Sequence, residues 1–551
     1  MTRPRQNNIF AIMALPDTMP APGWVESGAK QIKGLDLLGL RLPVQTIGNS
    51  LLDGVTTVTP SIRYFSFRSW IAFSYAQARL PDRWKAFHEY AARVEAAIAV
   101  GNLLNDAARG GLLGALEGRK LIASTDDKLP LKPLVTQLGV NIYGGPSEQL
   151  GLSFSGGEGV PGLTKERGVA LASLMSKAVS DCHLGRVFSS GKSPEWACRE
   201  QLEEFGRYAD ITDIPDVERE ILTRTLMPRD PYPGEQARLA TYAILLSLAD
   251  ALGRMPAEKD LFEAATEVNS GLPSVLKHIL DGWLMYSVRD LIACTHEAAM
   301  QEISAVLEEQ QIEASGFVLA ADVIQMLLAR VDDHREALRD LRLLKAEESP
   351  FDLTFRELHR RIQRAVGRGR DDREGLRRWS GRLNEQEVIE VAFSSGIGAL
   401  AVLPVAWLLA LERAEPRPGF EESPFDVLSY QGWARIGLRE VVLPGVTKFL
   451  DEDWTLQEVM AELGLRNTDQ HLRVSWARLS QDPLRDVAVL SADGDHWSFR
   501  SPFYAGRTAS RLYQAVGWLA QLRLLNESGL TPSGRSELKM ALETLASGGK
   551  S

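Results

Sequence analysis

Cysteine is scarce in this sequence of 551 residues. The three cysteines, at positions 182, 198 and 294, are too few and too scattered for a disulfide framework, and no two stand at metal-ligand spacing. This usage favours a reducing compartment, so we expect a cytoplasmic protein. The charged N-terminus is followed by a short apolar run that Pro16 breaks, which argues against a secretory signal peptide.

Long uncharged hydrophobic runs are also rare, and only residues 397–411 call for a membrane check. As a helix this run would be about 22 Å long, shorter than the roughly 30 Å hydrocarbon core of a bilayer. Pro404 interrupts it near its centre. The run therefore predicts a buried core helix rather than a membrane helix.

Positive charge is in the minority. The chain has 62 lysines and arginines against 72 acidic residues, which gives a formal net charge of −10. Such a balance argues against a protein that coats nucleic acid over its whole surface, although it allows a local basic patch on an acidic body.

Recognisable catalytic motifs are lacking as well. Residues 394–398 do not match the Gly-x-Ser-x-Gly nucleophile elbow, and no other segment does. Only Cys294, His296 and Glu297 bring ligand-type side chains together, and adjacent positions on one helix point in different directions. We therefore predict a structural helix there, no metal site and no cofactor. A cryptic nuclease-type effector enzyme stays open as an alternative.

Apolar residues recur at helical spacing along most of the chain, and the length predicts more than one domain. We expect a mainly α, multidomain helical protein with winged-helix-like modules and minor β-hairpins. Residues 1–185 would form an N-terminal helical domain with a wing-like hairpin. Residues 186–385 would form a helical middle domain that ends in an arginine-rich segment, and residues 386–551 a C-terminal domain with helix-turn-helix and winged-helix features.

Two segments share the pattern of a hairpin followed by a helix. Gly162-Leu163-Thr164 and Gly529-Leu530-Thr531 each place a threonine N-cap directly before an amphipathic run. A helix with apolar positions at 512, 516, 519 and 522 precedes the second of them. This order is typical of the end of a winged-helix domain.

A helix-turn-helix is predicted at 454–479, with its turn at Gly464, followed by a β-hairpin around Asp493-Gly494. If this region reads DNA, its second helix should present polar and basic side chains. The candidates are Arg466, Asn467, Gln470, Arg473 and Arg478. A structural or docking role for the domain is the alternative, because winged helices also mediate contacts between proteins.

The densest charge pattern lies at 351–382, where ten arginines accompany five acidic residues. Arg356, Arg360 and Arg364 recur every four residues and would line one helix face. Guanidinium groups bind phosphate bidentately, which points to a phosphate backbone as partner. The remaining candidates of this segment are Arg368, Arg370, Arg377 and Arg378. The interspersed acids allow another interpretation, a solvated helix and loop laced with salt bridges.

One stretch resembles a known group of proteins. Leu38-Gly39, then Asp53-Gly54-Val55-Thr56, then Arg63-Tyr64-Phe65-Ser66-Phe67 and Trp70 are similar to the opening of a family of bacterial proteins without established activity. Members of that group often occur near restriction and anti-phage defence functions. The likeness covers about 35 residues and brings no catalytic residues with it. It implies a role in a defence assembly.

These observations together predict a non-enzymatic component of a bacterial defence assembly that binds DNA or acts as a scaffold. Its expected partners are DNA and other protein subunits, with no membrane. A scaffold that contacts only proteins is a further alternative.

Overall fold

A computed structural model describes residues 36–548 except 107, 125–126, 156–159, 268–271, 314–315, 368–381, 395–397, 418, 421–435, 482–487 and 508–509. The described part is mainly helical, as predicted, with twenty-two α-helices and nine short strands. The domain boundaries at 185 and 385 stay a prediction.

The first third of the chain alternates helices with short strands. Its helices are α1 (Arg41–Leu51), α2 (Tyr64–Gln77), α3 (Trp84–Asn105), α4 (Ala115–Ser124), α5 (Gly139–Ile142), α6 (Gly144–Gln149), α7 (Gly168–Ala178), α8 (His183–Ser189), α9 (Arg199–Tyr208) and α10 (Asp216–Leu226). Its strands are β1 (Lys128–Pro130), β2 (Ser153–Phe154), β3 (Gly162–Leu163) and β4 (Trp196–Cys198). Strand β1 pairs with β4, and β2 with β3, both antiparallel.

Helices α3 and α9 cross where two glycines meet. A Cβ atom on Gly206 would lie 2.1 Å from the carbonyl oxygen of Gly101, and one on Gly101 would lie 2.4 Å from that of Leu202. Since no real Cβ atom comes so close to a backbone oxygen, only glycine allows the two backbones to approach this far.

Replacing Gly206 with alanine should therefore lower the free energy of unfolding by about 1 to 3 kcal/mol, because the two helices must separate. Urea unfolding measures the change. Gly517→Ala is the matched control, since a Cβ atom there meets nothing within 4 Å and the position is helical. Alanine at 517 should stabilise by about 0.5 to 1 kcal/mol. Equal effects of the two substitutions would contradict the close crossing.

A long central helix organises the middle of the molecule. The elements here are α11 (Pro233–Leu252), α12 (Glu258–Thr266), α13 (Lys277–Glu313), β5 (Val318–Leu319), α14 (Ala320–Leu328) and α15 (Val331–Asp340). Helix α13 has 37 residues, which corresponds to about 55 Å. The consecutive residues Trp283, Leu284 and Met285 are all buried, which one helix face cannot provide. Helix α13 is accordingly surrounded, by α1, α12 and α14 and by helices that follow later in the chain.

The next five helices pack against α13 or against one another. They are α16 (Phe355–Ala365), α17 (Glu385–Ser394), α18 (Ala399–Ala414), α19 (Leu443–Asp451) and α20 (Leu456–Gln481). Helix α18 comes from the uncharged run at 397–411, and its residues 399–410 are buried, Pro404 included. The prediction of a buried core helix is confirmed. In the described part of the chain, no helix combines the length and apolar character needed to cross a bilayer.

The predicted helix-turn-helix at 454–479 is wrong, because α20 runs through it as one helix of 26 residues. A Cβ atom on Gly464 would lie 2.9 Å from Ile324 Cδ1 of α14 and 3.3 Å from Leu400 Cδ1 of α18. The glycine thus permits close packing and makes no turn. A single glycine inside a helix costs about 1 kcal/mol, which the burial of Val459, Met460 and Leu463 outweighs.

The C-terminal part contains two hairpins and two helices. They are β6 (Leu490–Asp493), β7 (His496–Phe499), α21 (Leu512–Gln521), β8 (Leu525–Asn526), β9 (Gly529–Leu530) and α22 (Pro532–Gly548). The predicted hairpin around Asp493-Gly494 is confirmed, with Gly494 at a positive φ of 59°. Strand β5 adds to β7 and makes a three-stranded sheet that links the middle of the chain to its C-terminal part.

The two Gly-Leu-Thr segments form equivalent structures, as their sequence similarity indicates. Each Gly-Leu pair, β3 or β9, is the second strand of an antiparallel pair whose strands have two residues each. Thr164 Oγ1 accepts a hydrogen bond from Gly168 N at 3.1 Å and donates to Gly151 O at 2.7 Å. Thr531 Oγ1 repeats this with Gly534 N at 3.0 Å and Arg523 O at 2.8 Å. Both hairpins are confirmed, and the winged-helix architecture around them stays a prediction.

Side chains from two distant parts of the chain form hydrogen bonds with the same segment, residues 57–62. The Tyr143 hydroxyl, between α5 and α6, donates to Ser61 O at 2.8 Å. The Trp518 indole of α21 donates to Thr59 O at 2.9 Å, and Gln521 accepts from Ile62 N at 2.9 Å. Helix α21 is therefore attached to the N-terminal part of the chain by side-chain hydrogen bonds.

Candidate functional site

The predicted arginine face exists on α16. Phe355, Leu358 and Ile362 are fully buried and anchor one side of the helix. Arg356, Arg360 and Arg364 lie on the opposite side and are exposed. Thr354 caps the helix by accepting from Glu357 N at 3.2 Å. The sequence pattern and the structure agree here because apolar and basic residues each recur at helical spacing.

Acidic neighbours partly neutralise this face. Arg356 Nε lies 3.2 Å from Asp453 Oδ1, and Arg360 Nη1 lies 3.1 Å from Glu357 Oε2. Both arginine side chains are more than half exposed, at 51% and 57%. Exposed ion pairs of this kind contribute only about 0 to 1 kcal/mol, so a phosphate can displace the carboxylate at little cost. Arg364 makes no ion pair within the described residues.

Arg361, on the same helix, has a structural role. Its Nη1 lies 2.6 Å from Glu348 Oε2 and donates to Leu343 O at 3.0 Å, which ties α16 to the preceding loop. The hydrogen bond from the Arg361 guanidinium lowers the pKa of Glu348 to about 2. Four candidate arginines, Arg368, Arg370, Arg377 and Arg378, lie outside the described residues.

The candidates on α20 are divided between surface and core. Arg466 Nη2 lies 3.0 Å from Glu462 Oε1, and Arg473 Nε lies 2.8 Å from Asp469 Oδ2, each one turn earlier on the same helix. Asn467 and Gln470 are buried, so the expectation that they face DNA is wrong. The reason is tertiary: α20 buries this face against α13 and the N-terminal segment, where Gln470 Nε2 donates to Leu38 O at 2.8 Å.

Asn467 instead fixes a buried histidine. The Trp407 indole donates to His296 Nε2 at 2.9 Å, so His296 Nδ1 bears the proton and donates to Asn467 Oδ1 at 3.0 Å. Asn467 also binds the backbone of the same histidine, because its Nδ2 donates to His296 O at 2.8 Å. Complete burial lowers the pKa of His296 to about 4, which keeps the imidazole neutral. His296 is thus a core residue, as the prediction of a structural helix implies.

The residues that carry the family resemblance are also structural. Arg63 is buried, with Nη2 3.1 Å from Glu218 Oε2, and it donates to Asp213 O at 2.6 Å. The Tyr64 hydroxyl accepts from Leu113 N at 2.8 Å. Trp70 packs against Phe188 and Phe205 in an aromatic cluster. These ion-pair, hydrogen-bond and packing contacts within the protein explain their conformations.

A buried ionic cluster that the sequence analysis missed joins α1, α12, α13 and the segment before α21. We call it the Arg41 cluster, and it comprises Arg41, Glu258, Asp290, Glu297 and Arg507. Arg41 binds both oxygens of Glu297, at 2.9 and 2.6 Å, and Asp290 Oδ1 at 3.2 Å. Arg507 contacts Asp290 Oδ2 at 2.9 Å and Glu258 Oε1 at 2.8 Å. Two cations thus oppose three carboxylates that lie far apart in sequence.

The spacing of charges on α13 was the available signal for this cluster. Asp290, Cys294 and Glu297 stand at i, i+4 and i+7 within an apolar helix, so they lie on one face. Cys294 Sγ accepts from Arg41 Nη1 at 3.4 Å. Burial, followed by the nearby Asp290 charge, raises the pKa of Cys294 well above its usual range, so its thiol is not activated. Within the described residues no group of three metal-ligating side chains converges.

A cavity of about 170 Å³ lies beside the Arg41 cluster. Its walls come from α1, the loop after it, α13 and the residue before α21. Its lining includes Arg41, Gln45, Thr56, Trp283, Tyr286 and Arg511. The described structure therefore offers two separate candidate sites, the exposed arginine face of α16 and this partly open cavity.

Comparison with protein-family models, with curated proteins and with solved structures finds no match to this chain. The resemblance at residues 38–70 stays a prediction, and the functional conclusions rest on the residues described above.

Proposed function

We propose that the protein is a non-enzymatic, DNA-binding component of a bacterial anti-phage defence assembly. One observation carries the proposal: the three arginines at 356, 360 and 364 share the exposed side of a firmly anchored helix. Six further arginines follow in the sequence within residues 368–382. The backbone of DNA has closely spaced negative charges, and a row of guanidinium groups one helical turn apart can contact successive phosphates.

The surrounding charges set how strong this binding would be. The acidic body repels DNA elsewhere, which confines contact to the arginine face and makes the affinity dependent on salt. The C-terminal helix, hairpin and helix would then serve as a winged-helix module that reads DNA or docks a partner subunit. The role in a defence assembly rests on the family resemblance alone.

Replacing Arg356, Arg360 and Arg364 together with alanine should weaken binding to double-stranded DNA by about tenfold or more in a gel shift at low salt. The plot of log affinity against log salt should lose about 2 to 3 units of slope, one for each phosphate contact removed. Alanine is a good helix former, and the buried side of α16 is unchanged, so the variant should fold.

The matched control removes the same charge from other surfaces. Arg207, Arg224 and Arg535 have side chains that are 66%, 64% and 63% exposed, and each pairs with one carboxylate. Their triple alanine variant should keep wild-type affinity. Equal losses in the two variants would refute a role for the arginine face. Cleavage of the DNA on addition of Mg²⁺ would favour the nuclease alternative.

A second candidate function is a scaffold that contacts only proteins. It is favoured by the exposed aromatic side chains of the C-terminal part, since Tyr504 is 63% and Tyr513 is 79% exposed. Tyrosine is enriched at protein interfaces because it offers apolar area together with a hydroxyl group. Wild-type protein that fails to bind DNA even at low salt would favour this function over the first.

A further inference from the structure

The cavity beside the Arg41 cluster differs from an ordinary packing gap in its charge. Arg41, at one end, is fully committed, because it binds Glu297 with two nitrogens and also donates to Gly506 O at 2.7 Å. Arg511, at another point of the wall, is half-buried. In the part of the chain that the structure describes, the Arg511 guanidinium makes no hydrogen bond and no ion pair.

Burial lowers the pKa of Arg511. The acidic groups that face it are Asp53 and the hydroxyl of Tyr286, and neither touches it. A guanidinium group at a cavity wall without a carboxylate can pair with an anion from outside the chain.

Tyr286 provides a second, independent observation. Its side chain lines the cavity and is only 7% exposed, yet among the described residues its hydroxyl has no hydrogen-bond partner. The ring is fixed by stacking on Phe262 at 5.8 Å and by an edge contact with Trp283 at 5.4 Å. The hydroxyl is reached from the cavity, so it is available to a ligand.

The part of the wall at Trp283 is suited to a flat apolar group. Trp283 uses its indole N–H elsewhere, on Thr241 Oγ1 at 3.0 Å, and so presents only ring carbons to the cavity. The volume of about 170 Å³ is close to the roughly 150 Å³ that holds one benzene ring in an engineered cavity. The cavity therefore has room for one small ring with a short charged group.

We infer that the cavity binds a small planar organic carboxylate, of about the size of benzoate. Arg511 pairs with the carboxylate, the Tyr286 hydroxyl donates a hydrogen bond to it, and the ring lies beside Trp283. This site is independent of the arginine face on α16 and requires no DNA. For so few atoms the dissociation constant should be on the order of 0.1 to 1 mM.

Titration of the whole protein with benzoate, followed by ligand-observed NMR or calorimetry, tests the site. Benzyl alcohol serves as a neutral ligand of similar shape, and inorganic phosphate as an anion without a ring. Benzoate should bind at least about tenfold more tightly than either, because only benzoate uses both the guanidinium group and the aromatic wall. No binding of benzoate up to about 10 mM, or equal binding of all three, would overturn the inference.

Two variants of the cavity wall, each with a matched control variant, locate the binding site. Arg511→Gln should weaken benzoate about tenfold or more, while Arg535→Gln, at an exposed arginine remote in sequence, should not. Gln45→Trp places a large ring at an exposed position of the cavity wall and should abolish binding. Asn49→Trp, one turn further along α1 at an exposed position outside the wall, should leave it intact. Unchanged thermal midpoints verify folding, and affinity that is insensitive to both wall variants would place the ligand elsewhere.

Discussion

Replacing Arg41 with methionine is expected to lower the free energy of unfolding by about 3 to 5 kcal/mol. Arg41 is 6% exposed and is the only described partner of the Glu297 carboxylate, which is itself buried. Methionine has a similar length but no charge, so Glu297 would remain ionised and unpaired in the interior, or would have to take up a proton. Urea unfolding followed by tryptophan fluorescence measures the loss.

The double variant Arg41→Met, Glu297→Leu separates the cost of an orphaned charge from the loss of packing. It should recover a large part of the stability, because Asp290 still has Arg507 at 2.9 Å and no carboxylate is left without a cation. Arg356→Met is the exposed counterpart and should cost less than about 1 kcal/mol. Equal costs for Arg41→Met and Arg356→Met would contradict the ionic cluster.

The stability of the protein should fall between pH 5 and pH 8 through Glu302, by about 2 to 3 kcal/mol. Glu302 is 3% exposed and accepts hydrogen bonds from the first backbone N–H groups of α18, at 2.5 Å from Ala399 and 3.0 Å from Leu400. Burial outweighs these bonds and raises the pKa of Glu302 to about 7, from 4.5. A raised folded-state pKa gives stability that is complete below about 4.5 and lost as the pH rises through 7.

Glu302→Gln tests this sign directly, because glutamine does not titrate. The free energy of unfolding of the wild type minus that of the variant should be more positive at pH 5 than at pH 8, by the same amount of about 2 to 3 kcal/mol. Glu458→Gln is the control: Glu458 is exposed, and its hydrogen bonds to Thr455 lower its pKa, so it should show no change in that range. A constant difference for Glu302→Gln at the two pH values would refute the raised pKa.

Local elements could be predicted from the sequence where one face of a helix or strand is polar and the other apolar. The recurrence of Arg356, Arg360 and Arg364 every four residues predicted the basic face of α16. The hairpin at Asp493-Gly494 was accessible because Gly494 tolerates the positive φ that the turn needs. The apolar run at 397–411 predicted a buried helix, since it is too short for a bilayer.

The failures on α20 have a different cause. Gly464 has the spacing of a turn residue, and Asn467 and Gln470 have the polarity of surface residues. Whether Gly464 makes a turn, and whether Asn467 and Gln470 are buried, depends on residues remote in sequence. Ile324 needs the space that a side chain at 464 would fill, and His296 and Leu38 O supply the hydrogen-bond partners that make polar burial affordable.

The sequence by itself determined the helical class, the short hairpins and the basic side of α16, because these depend on periodicity and turn chemistry within about twenty residues. Only the tertiary structure decided where charges are buried. Arg41 meets Glu297 across 256 positions, and Arg511 reaches a cavity whose aromatic wall belongs to α13. No local pattern encodes such pairs, since packing alone brings their elements together and removes the water between them.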